Sequence, residues 1–417
     1  MFCGFGNQIP TLFSTPQNSV FVYLIFLTYY LLGYRHHLDY HSFAHATIQI
    51  FSLAFLHTMA AHLPPASRSD FEIAIICALP LEADAVEASY DEYWDDDGDK
   101  YGKAHGDPNA YTTGRIGRHN VVLAWMPAMG KSSAASVASS LRSSFSNIRL
   151  ALVTGICGGV PNGPNNEHVV LGDVVISDGI IEYDFGRQLP DRFVRKDTLN
   201  GNLGRPNNEI RAILAKLKGL RGRQRLLTKT LEYLTPMQEN LGHEWNYPGA
   251  SRDMLFKPNY HHKHQGPSSH EICTECNTGS DKVCDKALGM TCTELRCADT
   301  QMISYREDEW VGNNGLKIHY GFMASGSAVI KSGEHRDRIS AQENVIAFEM
   351  EGAGVWDNFP CVVIKGVCDY ADSHKNKIWQ NYAAATAAAA AKAFLNEWTP
   401  TQKEASASSI ISMYNFR

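Results

Sequence analysis

This chain of 417 residues lacks any large surplus of charge: 38 Lys and Arg stand against 44 Asp and Glu, a formal net charge of −6. Without a basic excess there is no electrostatic footprint for nucleic acid and no cationic face for anionic lipid. No internal repeat is evident, which argues against a solenoid or propeller. The cysteines do not form a secreted disulfide framework either. Five of the ten crowd between Cys273 and Cys297, Cys3 stands alone, and Cys77, Cys157, Cys361 and Cys368 fall in apolar runs where Cys acts as a small hydrophobe. Residues 1–18 contain no Lys or Arg, so the apolar run SVFVYLIFLTYYLLGY at 19–34 lacks the basic flank of a signal peptide. That run is also short of the roughly 20 residues a bilayer span needs. These absences lead us to expect a cytoplasmic protein, with a signal anchor at 19–34 as the alternative.

What remains is ordinary for a globular protein: 44% hydrophobic and 20% charged residues, in a length that suits one large or two small domains. FEIAIICA at 71–78 has a buried-strand pattern, and LPLEADAV at 79–86 turns from it into a helix. HNVVLAW opens a strand at 119 that ends in Pro and Gly by 130, and 131–145 is a small-residue helix. A strand at 149–155 closes in GICGG, and LGDVVIS at 171–177 is a short one; an acidic surface loop is expected at 91–99. Residues 204–315 change character, becoming polar and rich in His and Cys, and read as an insertion. Regularity returns at 318–330, and the Ala-rich stretch 382–395 has the helix propensity to cover a sheet. Strands alternating with helices predict an α/β fold with a mixed, mostly parallel central sheet flanked by helices. The domain should span 71–398, between an extension at 1–70, in which Met59 is the expected true start, and a tail at 399–417.

Two segments carry most of the chemistry: IAFEMEGAGV at 346–355 and FPCVVIKGVCDYAD at 359–372. Each is a strand-type apolar run ending in acids, Glu349 and Glu351 in the first, Asp369 and Asp372 in the second. A helix-compatible stretch joins them, so they are expected to be neighbouring strands. Ligands of open α/β sheets bind beyond the carboxyl ends of strands. Carboxylates clustered there suit gripping ribose hydroxyls and giving a proton to a leaving group.

The order of motifs resembles the nucleoside phosphorylase/nucleosidase superfamily, in particular the purine and uridine phosphorylase-type domain of many fungal proteins, and is similar to methylthioadenosine/S-adenosylhomocysteine nucleosidase. The motifs are IICALPLEADAV, MGK, TGICGG, LGDVVIS, and the pair FEMEGAG and KGVCDYADSHKNK. The resemblance implies cleavage of the N-glycosidic bond of a purine nucleoside or nucleotide. Asp369 would act as acid to N7 of the base, Glu82 would activate water, and Glu351 would grip the ribose above Met350, with Glu349 beside it. Cys157 and Gly158 would pack against base and sugar, and the backbone from Ser325 to Ile330 would contact the base. Apolar neighbours Val367 and Tyr370 would favour a protonated Asp369. The resemblance implies a homo-oligomer, no cofactor, and phosphate only as a co-substrate.

Two departures concern binding: Lys365 stands where nucleosidases carry Arg, and Val329 where an aromatic often stacks, leaving Tyr183, Phe185 or Phe348 for that task. Both also suit a sensor domain that binds a nucleoside without turning it over. The first loop, ALPLEAD at 78–84, has no Gly or Arg and two acids, and no Arg precedes TGICGG, so water is the expected nucleophile. GKSS at 130–133 keeps phosphate binding at a helix N-terminus as the alternative. HKNK at 374–377 reads as a solvated loop, or else as one facing the 5′ end of a substrate. In the insertion, His264, His270, Cys273 and Cys276 are a zinc candidate by residue type and CxxC spacing, against the reading of reduced surface cysteines in a loop.

Overall fold

The computed structural model describes residues 63–401 except 97, 165–166, 199–202, 266–272, 274–275, 277–282 and 304–314. The apolar run at 19–34 and Met59 therefore lie outside the described residues, as does His270. Pro64 onward forms one compact unit. The fold starts slightly earlier than the sequence suggests. A 3-10 turn at Arg68–Asp70 is capped by Ser67, and side chains of Asn120 and Asn147 hold the Asp70 and Ser69 carbonyls. At the other end Thr401 still bonds Glu209.

The strands are β1 (Ile73–Cys77), β2 (Glu92–Tyr93), β3 (Ala110–Ile116), β4 (His119–Trp125), β5 (Leu150–Gly159), β6 (Val174–Glu182), β7 (Gly186–Gln188), β8 (Phe193–Arg195), β9 (Ile318–Ser325), β10 (Val345–Glu349) and β11 (Cys361–Asp369). The helices are α1 (Pro80–Glu87), α2 (Lys131–Ser144), α3 (Asn208–Lys218), α4 (Leu220–Leu241), α5 (Asp285–Leu288), α6 (Cys292–Leu295), α7 (Gly333–Glu343), α8 (Gly352–Trp356) and α9 (Gln380–Glu397). None is long and apolar enough to cross a membrane among the described residues.

The main sheet runs β10-β9-β6-β11-β5-β1-β4-β3-β2, and β10 also pairs with the far end of β5. One end of the sheet thus curls back on itself. Pairing is parallel at β1–β4, β1–β5, β5–β11, β6–β9 and β9–β10 and antiparallel elsewhere, which bears out the mixed α/β expectation. The expectation that the two acidic strands are neighbours fails: β11 lies between β5 and β6, whereas β10 pairs with β9. Their ends still meet, because Phe348 of β10 and Asp369 of β11 both register on Gly158 of β5. GICGG is also strand rather than closing loop, since it pairs with both of these partners. A short strand, β2, interrupts the expected acidic loop by pairing with β3.

Every residue of β1 and β11 is buried, consistent with strands covered on both faces. Helix α9 does much of the covering, with its alanines from Ala383 to Ala391 buried. Small residues let it lie close: a Cβ on Gly366 of β11 would sit 1.9 Å from the Ala383 carbonyl oxygen. The first part of the insertion joins the same core through Ile210, Leu214 and Leu217 of α3 and Leu226, Leu234 and Met237 of α4.

Candidate functional site

Strand ends and loops that are far apart in sequence enclose a cavity of about 210 Å³. Its walls include Glu82, Cys157, Gly158, Ile330, Phe348, Glu349, Met350, Glu351, Asp369 and Lys375, with Met129 and Val329 at the rim. Most of the residues singled out from the sequence therefore share one hollow.

Glu82 sits in the first turn of α1, directly after β1, and its carboxylate folds back over the turn. Its Oε2 accepts from the Ala78 and Leu79 N–H groups at 2.8 and 2.9 Å, and its Oε1 from Ile156 N–H at 2.7 Å. This close approach needs glycine opposite, because a Cβ on Gly155 would stand 1.9 Å from Oε1. A carboxylate offers about four lone-pair directions, so capacity remains for a water on the cavity side.

Glu349 closes β10 and caps α8: its Oε2 accepts from the N–H groups of Glu351 and Gly352 at 2.9 and 2.7 Å. Burial, then the neighbouring Glu351 charge, raises the Glu349 carboxyl above its ordinary range. Glu351 receives the Gly130 N–H at 3.4 Å on Oε1 and Lys365 Nζ at 3.2 Å on Oε2.

Lys365 and Ser325 correct the sequence reading, because both stand behind the cavity wall. Lys365 registers on Gly155 and is fully buried, its ammonium lying 3.7 Å from Glu82 and 3.2 Å from Glu351. Burial alone would push that ammonium down, but Glu82, then Glu351 and Glu349, outweigh it and keep Lys365 charged. Its ammonium tethers two carboxylates. Ser325 Oγ accepts the Ala353 N–H at 3.1 Å and so helps place α8.

Asp369 ends β11. Its Oδ1 accepts from Ala371 N–H at 2.8 Å, while Oδ2 lies 3.0 Å from Lys375 Nζ and accepts from the Cys368 thiol at 3.3 Å. Burial pushes the Cys157 thiol up, so Cys157 is a neutral wall residue. Of the three candidate rings, Phe348 lines the cavity. Tyr183 supports it edge-on at 5.8 Å, and Phe185 is exposed.

Lys375 was not singled out from the sequence, which offered the HKNK segment only as a solvated loop or one facing a substrate. The HKNK segment is neither wholly solvated nor directed one way: Lys375 lines the cavity, Lys377 is exposed, and His374 is buried. The cationic run was visible; the direction of each side chain depends on what holds His374. The alternative phosphate loop is engaged elsewhere, since Lys131 pairs with Glu182 at 2.6 Å and Asp184 at 2.5 Å.

In the insertion, His264, Cys273 and Cys276 come together as expected, with Cys284 beside them. A second group, His262, Cys292, Cys297 and His374, was not expected. The five cysteines are buried or half-buried, which corrects the surface-loop reading.

A domain with this curled mixed sheet, and with acids gathered at the ends of β10 and β11, is of the nucleoside phosphorylase type. Residues 72–214 match the family model described as the phosphorylase superfamily, the superfamily that the sequence motifs resemble. It is 32% identical over 342 residues to a nucleotide-binding leucine-rich repeat (NLR)-like protein of Hyaloscypha variabilis, covering 81% of this chain and 30% of that protein. The chain thus spans under a third of that relative's length. Among solved structures it is similar to futalosine hydrolase of Helicobacter pylori, with 13% identity and a TM-score of 0.47, over 79% of this chain and 99% of that one. It is also similar to S-adenosylhomocysteine nucleosidase of Streptococcus pyogenes, with 17% identity and a TM-score of 0.46, over 79% of this chain and 98% of that one.

Proposed function

We propose that this cavity hydrolyses the N-glycosidic bond of a purine nucleoside or a related nucleotide. The observation that carries the reading is the meeting of Glu82, Glu351 and Asp369 on one small hollow. Ribose fits against Glu351 above Met350, the base against Phe348 and Asp369, and a water between Glu82 and the anomeric carbon. In the reaction the water oxygen bonds to C1′ as the C1′–N bond breaks. Glu82 takes the water's proton, and the departing base keeps the bond's electron pair and receives a proton from the carboxyl of Asp369, which regains one from solvent as Glu82 releases its own. Lys375, at 3.0 Å from Asp369, is a further donor to that base. Glu351 offsets the positive charge that grows on the sugar.

Water is favoured over phosphate by the charge of the walls. Among the described lining residues Lys375 is the cation and it pairs with Asp369, whereas Glu82, Glu349, Glu351 and Asp369 are acidic. Lys131 is held by its own two carboxylates, and the N–H of Gly130, at the start of α2, points to Glu351. An incoming phosphate would meet repulsion where it needs donors.

The test is base release over a panel of nucleosides and nucleotides, with and without phosphate. We expect free base and free sugar, unstimulated by phosphate; formation of ribose 1-phosphate would overturn hydrolysis. A second reading is a nucleoside-binding sensor without turnover, favoured by the Lys375–Asp369 ion pair and by similarity to an NLR-like protein. Saturable binding with no base release from any member of the panel would decide for it.

A further inference from the structure

The two Cys/His groups in the insertion have the donor set and spacing of metal centres. In each, the four ligand atoms lie within 4.8 Å of one another. Tetrahedral zinc, with Zn–S of about 2.3 Å and Zn–N of about 2.0–2.1 Å, sets an S···N edge of about 3.6 Å. In the first group Cys292 Sγ lies 3.5 Å from His262 Nδ1 and 3.6 Å from His374 Nδ1, and Cys297 Sγ lies 3.7 Å from His262 Nδ1. In the second, Cys284 Sγ lies 3.7 Å from His264 Nδ1.

The hydrogen bonds around the first group fix which ring nitrogens are free to bind a cation. His262 Nε2 faces the Met290 carbonyl at 2.7 Å and His374 Nε2 faces the Tyr260 carbonyl at 2.9 Å. A carbonyl only accepts, so each Nε2 carries its proton, and in a neutral ring each Nδ1 is then a lone pair. Both lone pairs face Cys292, and that of His262 also faces Cys297. Four electron-pair donors on one point call for a cation, and backbone carbonyls behind ligating histidines are the usual way such rings are oriented. Thiolate and imidazole in a tetrahedral set select zinc.

The packing makes the same demand. The local apolar cluster consists of Cys276, Cys284, Ala287 and Leu295, fringed by Cys273, Val283, Met290 and Cys297. With so much of that cluster made of the cysteines themselves, it is too small a core to hold a fold unaided.

We propose that the insertion binds two zinc ions, one through His262, Cys292, Cys297 and His374 and one through His264, Cys273, Cys276 and Cys284, and that the first fastens the loop bearing Lys375 to the insertion. His374 belongs to that loop, which follows Asp369, while the other three ligands of its set belong to the insertion. Its ring also stacks on Phe256 at 3.9 Å. Ser373 Oγ accepts the His262 N–H at 3.1 Å, and Tyr370 donates to Asp253 at 2.8 Å. The residue after His374 is Lys375, so the ion sets where that ammonium meets Asp369. The ions are structural, with all four positions of each filled by protein.

The experiment is elemental analysis of the full chain purified without chelator, together with hydrogen exchange on the 370–378 segment. The expected result is zinc at two per chain, falling to one in Cys276→Ser and to one in His374→Ala, with His374→Cys keeping both. Cobalt substituted for zinc should give the strong visible bands of tetrahedral thiolate coordination, reduced in each deficient variant. Exchange in 370–378 should rise in His374→Ala and stay at the wild-type level in Cys276→Ser. A folded wild-type protein with no zinc above the chelated blank overturns the metal assignment, as does a Cys292–Cys297 disulfide in place of free thiols. Zinc at two per chain with unchanged exchange in His374→Ala overturns the fastening. Should the deficient variants fail to fold, metal content and cobalt spectrum of the wild type and of His374→Cys decide the assignment.

Discussion

At the residue scale the cavity is a balance among buried charges. Lys365 tethers Glu82 and Glu351 with no solvent to help. Replacing it by Met strands two carboxylates, and breaking a buried pair in this way costs about 3–5 kcal/mol. Chemical denaturation of Lys365→Met should show a loss of that size; a variant as stable as wild type would mean the tether is dispensable. Asp369→Asn should lower the turnover number for base release about 10²–10⁴-fold with the protein still folded, the usual worth of one acid–base group. Glu349 gives a pH signature. Its carboxyl is raised above the ordinary 4.5, so the native state holds that proton more tightly than the unfolded chain. The stability it contributes is complete below pH 4.5 and lost as pH rises through the elevated native value. Glu349→Gln should remove this slope from unfolding free energy against pH; equal slopes in variant and wild type between pH 4.5 and neutrality would contradict it. The acids were legible in the sequence because each ends an apolar run. The roles of Lys365 and Lys375 were not, since a lysine's direction is set by neighbours hundreds of positions away in some cases, as with Glu82 under Lys365.

At the scale of elements, β1, α1, α2 and α9 follow the apolar periodicity and helix propensity closely. The placement of β10 did not, because its partner at Gly158–Gly159 is a long-range antiparallel contact that local pattern cannot specify. The same limit hid the second Cys/His group, whose ligands run from His262 to His374. Close packing of α9 on β11 makes a clear prediction. Gly366→Ala would drive a methyl to 1.9 Å from the Ala383 carbonyl oxygen. Overpacking of this kind costs about 1–3 kcal/mol, readable as a lower denaturation midpoint with an unchanged slope. A variant with the wild-type midpoint would mean that the helix shifts freely.

For the whole molecule, one curled sheet carries the cavity and the insertion braces the loop beside it. Stripping metal with a strong chelator should lower the thermal midpoint of the full chain, and zinc added back should restore it, because a ligand that binds only the native state stabilises it. An identical melting curve before and after chelation would remove the metal from any part in stability.

Strand β5 runs down the middle of this arrangement, hydrogen-bonded to β1, β11 and β10 at once. The walls that β1, β10 and β11 contribute to the hollow are thus stitched to a single cable. Traffic must pass over the lip, where Met129 is 49% and Val329 46% exposed. A bulky side chain planted at either position should therefore slow exchange without touching the carboxylates beneath.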